Sequence, residues 1–355
     1  MKEFIRNHSF SVSFIVVLFS VVFFYDRNSG DIQRLEGFSM GTTYQFQIAN
    51  FPENIDREQL ATDLNDLLVK LDRGIFSTYS QDSELSRFNQ QDVDVPFPAS
   101  DDLVEVLVMA RQISDLSDGA FDISVGPLVN LWGFGPVITL QDSAPAQSEI
   151  DQALLRVDFR SLQIDTGNSE ISKSKDIYVD LSAIAKGYAV DRVAAHLDEL
   201  GIENYFLEIG GELKIRGLKP DRSGWIPAIE TPMDTEAQIY QVLFSRGDSI
   251  AVAGSGDYRN YFEEDGVRYS HEIDPRTGRP INHRLAASYV IDDSVARADA
   301  LATTFMILGL DESIELARQL DQAVFLIYKD SEAGDSNGFS SYVSESFARY
   351  LENSN

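Results

Sequence analysis

The stretch from Asp118 to Gly135, DGAFDISVGPLVNLWGFG, constrains this chain more than any other. It sets four glycines and a proline among aromatic and aliphatic residues, with only two charges. A core strand would not interrupt itself so often, because each glycine loses backbone entropy on folding and packs nothing. A linker would not leave Phe121, Leu131, Trp132 and Phe134 to solvent. The pattern calls for a backbone folded closely around something flat and apolar, with aromatic walls. The alternative is a glycine-rich loop wrapped over the core. Three later segments of the same character weigh against it.

At 355 residues the chain can bury a large core, as one large domain or two intimately packed ones. A net charge of −28 argues against nucleic acid or anionic lipid as the main partner. Residues 1–30 read differently. Lys2 and Arg6 precede an apolar and small-hydroxyl run from Ser9 to Tyr25, and polar DRNSGD follows. That is the layout of an export signal. No small-x-small cleavage site follows the run, and without cysteine there is no residue for lipid attachment. The reading is an uncleaved signal anchor, short for a membrane span, with its positive end inside. Residues 31–355 would then lie on the periplasmic face of the inner membrane, or be soluble in the periplasm if the signal is cleaved.

Periodicity predicts a strand over Ser39–Ile48 and a helix over Asp56–Phe76, with Leu60, Leu64, Leu67, Leu68 and Leu71 on one face. A second amphipathic helix is expected over Asp101–Leu116 and a surface loop over Pro136–Gln147. A hairpin is expected around Thr166-Gly167-Asn168, and a strand Ile177–Leu181 running into a helix Ser182–Leu200. Short strands are expected around Gly210-Gly211 and through to Phe262, then a strand at Ser288–Ile291 and a helix Ser294–Leu308 capped by Gly309. A last helix Ser313–Leu320 and strand Ala323–Tyr328 follow. Strands and helices mix without strict alternation, so the fold class is α+β.

Three places offer chemistry. Asp299 and Thr303 fall one helical turn apart on one face, giving a carboxylate and a hydroxyl suited to Mg²⁺. The alternative is that Thr303 bonds back to its own helix and Asp299 caps a neighbour. In VDLSAIAKGYAVD, Asp180 ends a strand, Ser182 is placed to cap the helix, and Lys186 adds charge to a helix N-terminus that would attract an anion. An ordinary capped helix also fits. In SHEIDPRTGRP, His271 is a candidate general base, because an unperturbed imidazole titrates near neutrality, though a single histidine on a strand is as readily structural. No Walker loop, zinc spacing or dinucleotide GxGxxG is present.

Taken in order, MGTTY, FSTYSQDSELSRFN, DGAFDISVGPLVNLWGFG, VDLSAIAKGYAVD, FLEIGGE, AVAGSGDY, SHEIDPRTGRP and DALATT resemble the ApbE family, the FAD:protein FMN transferases. The resemblance runs from about Leu35 to the C-terminus. It implies an α+β fold of two intimately packed subdomains with flavin in the cleft between them. It also implies Mg²⁺-dependent transfer of the FMN moiety of FAD to a threonine or serine hydroxyl of a target protein, releasing AMP. By resemblance, FAD contacts fall on Met40, Tyr79, Ala120, Phe121, Asp122, Asp180, Lys186 and the strand around Ile273. Mg²⁺ ligands fall on Asp299, Thr303 and the main-chain carbonyl of Ala183, with Ala302 as a further candidate. His271 matches the proposed base, and Lys186 would stabilise charge on the departing AMP. The acceptor implied is a membrane redox-complex subunit carrying a Ser/Thr-Gly-Ala-Ser/Thr site. Gly254 departs from the pattern, standing where threonine is usual. FAD hydrolysis to FMN and AMP, and flavin binding without catalysis, are the competing readings.

If Ser9–Tyr25 is an uncleaved anchor, the mature N-terminus lies near Met1 and the protein stays with membranes through a high-salt wash. N-terminal sequencing of the fractionated protein checks this; a soluble chain beginning near Asn28 would overturn it.

Overall fold

Eight strands form one sheet in which each is hydrogen-bonded to the next in chain order, all antiparallel. They are β1 (Ile32–Ser39), β2 (Thr42–Ala49), β3 (Tyr205–Ile209), β4 (Glu212–Arg216), β5 (Ile250–Gly256), β6 (Leu285–Asp292), β7 (Ala323–Lys329) and β8 (Phe339–Val343). The computed structural model describes residues 32–136, 144–233, 238–258, 260–264, 266–330 and 338–351. The expected anchor and most of the expected Pro136–Gln147 loop lie outside the described residues. Within them, no helix is long and apolar enough to cross a membrane.

Alternation along the strands buries both faces of this sheet. Phe46, Ile48, Leu207 and Ile209 join one apolar cluster beneath the helices. Phe206, Ile215, Val252 and Phe325 join another on the opposite face, closed by Trp225 and Phe347. The helices are inserted between strands: α1 (Arg57–Val69), α2 (Asp101–Leu116) and α3 (Ala185–Glu199) between β2 and β3, and α4 (Val295–Leu308) and α5 (Leu310–Leu320) between β6 and β7. A third, smaller cluster of Leu128, Trp132, Ile150 and Ile273 lies apart from both. The α+β class read from the sequence is the one observed.

Local chemistry accounts for the boundaries and for two departures. Ser100 caps α2 through Leu103 N–H, matching the expected helix start. The alternation predicts a strand beginning at Ser39, with Met40-Gly41 at its start. Instead Met40 (φ 53°) and Gly41 (φ 75°) are both left-handed and form a two-residue hairpin turn that joins β1 to β2. The helix expected over Asp56–Phe76 is α-helical to Val69 and then widens into a π-turn, Lys70–Phe76. There Asp72 accepts a hydrogen bond from Met40 N–H at 3.0 Å, tying the hairpin turn to the helix end.

The helices α3 and α4 pack unusually close. Asp191, at the end of the VDLSAIAKGYAVD segment, accepts hydrogen bonds from Val295 N–H, Ala296 N–H and the Ser294 hydroxyl at 2.8–3.0 Å. It thereby caps α4 from a neighbouring helix. Next to this contact, a Cβ on Gly187 would stand 2.5 Å from the Val295 carbonyl oxygen. Only a glycine allows the approach that sets Asp299 beside α3. Gly187→Ala is therefore expected to cost about 1–3 kcal/mol of stability, the usual range for overpacking against atoms that cannot yield. Urea unfolding measures it; a loss below about 0.5 kcal/mol would show that the two backbones are not in contact.

Candidate active site

The segment before α3 is built for exposure of its polar groups rather than for sheet. The sequence predicts a strand over Ile177–Leu181, but only one parallel bridge forms, Tyr178 to Val125. The Asn89 side chain takes the place of a strand partner: its Nδ2 donates to Val179 O at 2.8 Å and its Oδ1 accepts from Val179 N–H at 2.7 Å. Asp180 N–H then donates to Ile123 O at 2.7 Å, locking this segment to the glycine-rich one. Ser182 does not cap the helix. Its N–H and hydroxyl both donate to Asp180 Oδ1, at 2.8 and 2.5 Å, and α3 begins only at Ala185.

The late start has a chemical consequence. In a regular helix the Gly187 N–H would donate four residues back, to the Ala183 carbonyl. Here it donates to Asp299 Oδ2 at 3.1 Å. The Ala183 carbonyl is left without a hydrogen-bond donor among the described residues, and Ala183 lines the cavity in front of α3. Asp299 and Thr303 of α4 line the same cavity. The back-bond that Thr303 was free to make is made by its neighbour, Thr304 to Ala300 O at 2.7 Å. Thr303 instead meets the Ser255 hydroxyl at 3.2 Å. Ala302 faces elsewhere: its carbonyl accepts from the Ser288 hydroxyl at 2.6 Å, and it does not line the cavity.

This cavity, about 440 Å³, also takes in Lys186, His271, Ile273 and the run Ala120-Phe121-Asp122. A second cavity of about 660 Å³ adjoins it, with Met40 and the largely exposed Tyr79 on its wall. Asp180, Ser182 and Lys186 border both. All the residues expected to contact FAD therefore lie along two adjoining cavities that share Asp180, Ser182 and Lys186.

The glycine-rich segment does not work as its composition suggests. None of its four glycines lines either cavity. Gly119 and Gly133 take left-handed turns, and Gly126 gives way to Tyr178, whose carbonyl oxygen would stand 2.7 Å from a Cβ there. Of the four apolar residues read as walls, only Phe121 lines the cavity. Trp132 donates to Gly278 O at 2.8 Å and packs with Tyr269 in the third cluster, while Phe134 meets the His271 ring edge-on. The Asp122 carboxylate is occupied, accepting from the Ser124 N–H and hydroxyl in its own loop and from the Phe159 N–H 37 residues on. At Gly254, the departure from the family pattern, a Cβ would come 2.7 Å from the Tyr289 ring, which is paired across the strand and fills the place of a side chain.

Charge in the cavity is unbalanced. Lys186 Nζ lies 3.0 Å from Glu212 Oε1 and 3.9 Å from Asp299 Oδ2, and both acids are almost wholly buried. Burial works against the Lys186 ammonium, yet the charges of Asp299 and Glu212 outweigh it and hold its pKa above the usual lysine value. Burial raises the pKa of both carboxyls, with Lys186 opposing. One ammonium thus serves two buried acids, and the second lacks compensation. Asp299 Oδ1 accepts no hydrogen bond from the described residues. Among those residues there is no cluster of three or more His, Cys, Asp or Glu side chains to hold a metal. The same cavity is lined by Asp299, Thr303 and Ala183, whose carboxylate, hydroxyl and freed carbonyl are an all-oxygen set that fits a hard cation such as Mg²⁺ completed by water.

His271 is half-buried beside this group. Its backbone N–H donates to Asn260 O, and its ring Nδ1 lies 3.0 Å from the same oxygen. A carbonyl can only accept, so Nδ1 carries the proton and Nε2 is the basic nitrogen. Burial pulls the imidazole pKa down to about 4, with the Lys186 charge acting in the same direction. Glu212, Ser255 and Asn260 were not singled out from the sequence. A glutamate placed after Gly210-Gly211 in the apolar FLEIGGE island was the one available signal for Glu212.

The chain matches the model of the ApbE family over residues 40–327. It is 43% identical over 317 residues to a Vibrio cholerae protein named FAD:protein FMN transferase, covering 89% of this chain and 92% of that one. A Haemophilus influenzae protein of the same name is 38% identical over 327 residues, covering 90% and 91%. The solved structure of a flavin transferase ApbE from Vibrio cholerae superposes with a TM-score of 0.81 at 41% identity, covering 90% of this chain and 99% of that one. The apo form of the Pseudomonas stutzeri flavinyl transferase ApbE gives 0.80 at 37% identity, covering 92% and 98%. This chain belongs to the ApbE family.

Proposed function

We propose that this enzyme transfers the FMN moiety of FAD to a threonine or serine hydroxyl of an exported or membrane flavoprotein, releasing AMP, with Mg²⁺ held by Asp299, Thr303 and the Ala183 carbonyl. The observation that carries the proposal is that Asp299, Thr303 and Ala183 line a single cavity together with Lys186 and His271. The names of the curated relatives support the same chemistry. FAD is long and two-ended, and the two adjoining cavities suit its flavin and adenine ends. Lys186, common to both, would meet the pyrophosphate between them.

In the reaction the acceptor oxygen bonds to the FMN-side phosphorus, the bond to the bridging oxygen breaks, and AMP leaves with that oxygen. His271 Nε2 accepts the hydroxyl proton, and the Lys186 ammonium stabilises the charge that develops on the leaving phosphate. When bound, Mg²⁺ supplies charge neutralisation of the pyrophosphate. The anchor read in residues 1–30 would hold the site on the periplasmic face, where an exported acceptor is reached.

Asp299→Ala removes the one anionic ligand of the set. FMN incorporation into an acceptor peptide at low magnesium is expected to fall by more than about 100-fold, since even outer partners of metal ligands cost 10–100-fold. Undiminished transfer would remove Asp299 from the site, and AMP release without peptide labelling in the unsubstituted protein would make it a hydrolase.

His271→Ala is expected to slow transfer about 10²–10⁴-fold at neutral pH with little change in FAD affinity. Because the imidazole pKa is lowered to about 4, His271 stays neutral well below pH 6.5, so the acid limb of kcat/KM that it causes should lie nearer pH 4. The same shift makes the folded protein lose stability as pH falls from about 6.5 toward 4, a loss the alanine variant should lack. Poor FAD binding with normal transfer at saturation would make His271 a binding residue instead.

A further inference from the structure

We infer that Glu212 is a positioning residue that keeps the Lys186 ammonium off Asp299, so that the Asp299 carboxylate stays available to a hard divalent cation. The inference rests on the reading of Asp299 as a cation ligand. Three elements meet here: Glu212 opens β4, Lys186 lies in the first turn of α3, and Asp299 lies within α4. Nζ of Lys186 is in direct contact with Glu212 Oε1 at 3.0 Å but stands 3.9 Å from Asp299 Oδ2, beyond hydrogen-bond reach.

Glu212 has no other side chain to hold. It is 3% exposed, Lys186 is its one side-chain partner among the described residues, and its Oε2 is buried with no hydrogen bond at all. The lysine stem packs over Gly210, where a Cβ would lie 3.3 Å from Cδ. If Glu212 loses its charge, the nearest anion left to the ammonium is Asp299. A movement of about 1 Å by a flexible stem then makes a full ion pair. That ion pair competes with a cation for the same carboxylate. Glu212 thus favours cation binding without touching the cation.

The test is Mn²⁺ binding to the full chain without FAD, followed by electron paramagnetic resonance, so that turnover does not enter. Glu212→Gln is expected to weaken Mn²⁺ binding about tenfold, in the range of couplings between contacting charged residues. With Lys186→Met already in place, there is no ammonium to collapse onto Asp299, and Glu212→Gln should then change affinity less than about twofold. A loss of equal size in both backgrounds would make Glu212 a ligand or a merely structural residue, and no loss in either would equally overturn the inference. Should Glu212→Gln fail to fold, Glu212→Asp draws the carboxylate back by one methylene. A smaller loss that again vanishes with Lys186→Met supports the inference, and unchanged binding overturns it. Asp299→Ala separates the two levels: if it leaves Mn²⁺ binding intact, or if the unsubstituted chain binds none, the cation-site reading itself fails.

Discussion

The hydrogen bond from Gly187 N–H to the Asp299 carboxylate, 3.1 Å long and spanning 112 residues of chain, organises the cavity around it. It docks α4 onto the first turn of α3 and diverts an N–H that the helix would otherwise use internally, which frees the Ala183 carbonyl. It also leaves the second oxygen of Asp299 unbonded. Each effect needs the two backbones to be almost in contact, and the missing Cβ of Gly187 permits that. The cap that Asp191 places on α4 fixes the same contact from the other side.

Around that contact the protein buries more acid than base. Asp299 and Glu212 share Lys186, and burial disfavours the charge that each acid carries. Such an arrangement is costly in an isolated protein and would be relieved by the cation proposed to bind there. The structure therefore keeps two buried acids and one ammonium where the proposed chemistry would use them, between the apolar clusters on the two faces of the sheet.

Much of the architecture was legible from periodicity. The 3.6-residue spacing of leucines before Val69, the amphipathic pattern of Asp101–Leu116 and the glycine after Leu308 are local signals, and the helices they mark are where they were expected. The same holds for Asp299 and Thr303, whose one-turn spacing puts both on the cavity side of α4. Failures came where a local pattern had more than one tertiary use. Ile177–Leu181 reads like a strand, but it forms one isolated bridge, to Val125, and Val179 pairs with an asparagine side chain instead of a neighbouring strand. The glycines of Asp118–Gly135 serve chain turns and a close pass by Tyr178, not the walls of the cavity.

By itself, then, the sequence determined the kinds of elements, their order, and the presence of a carboxylate, a hydroxyl, a lysine and a histidine in separate islands. It did so because helix and strand spacing, capping and turn chemistry depend only on neighbours a few residues apart. Only the tertiary structure decided that Thr303 meets Ser255, that the Ala183 carbonyl is left without a donor among the described residues, and that Lys186 contacts Glu212 rather than Asp299. Those outcomes depend on distances between residues tens to more than a hundred positions apart. Such distances are set by how closely two backbones pack, a quantity that no local pattern of residues encodes.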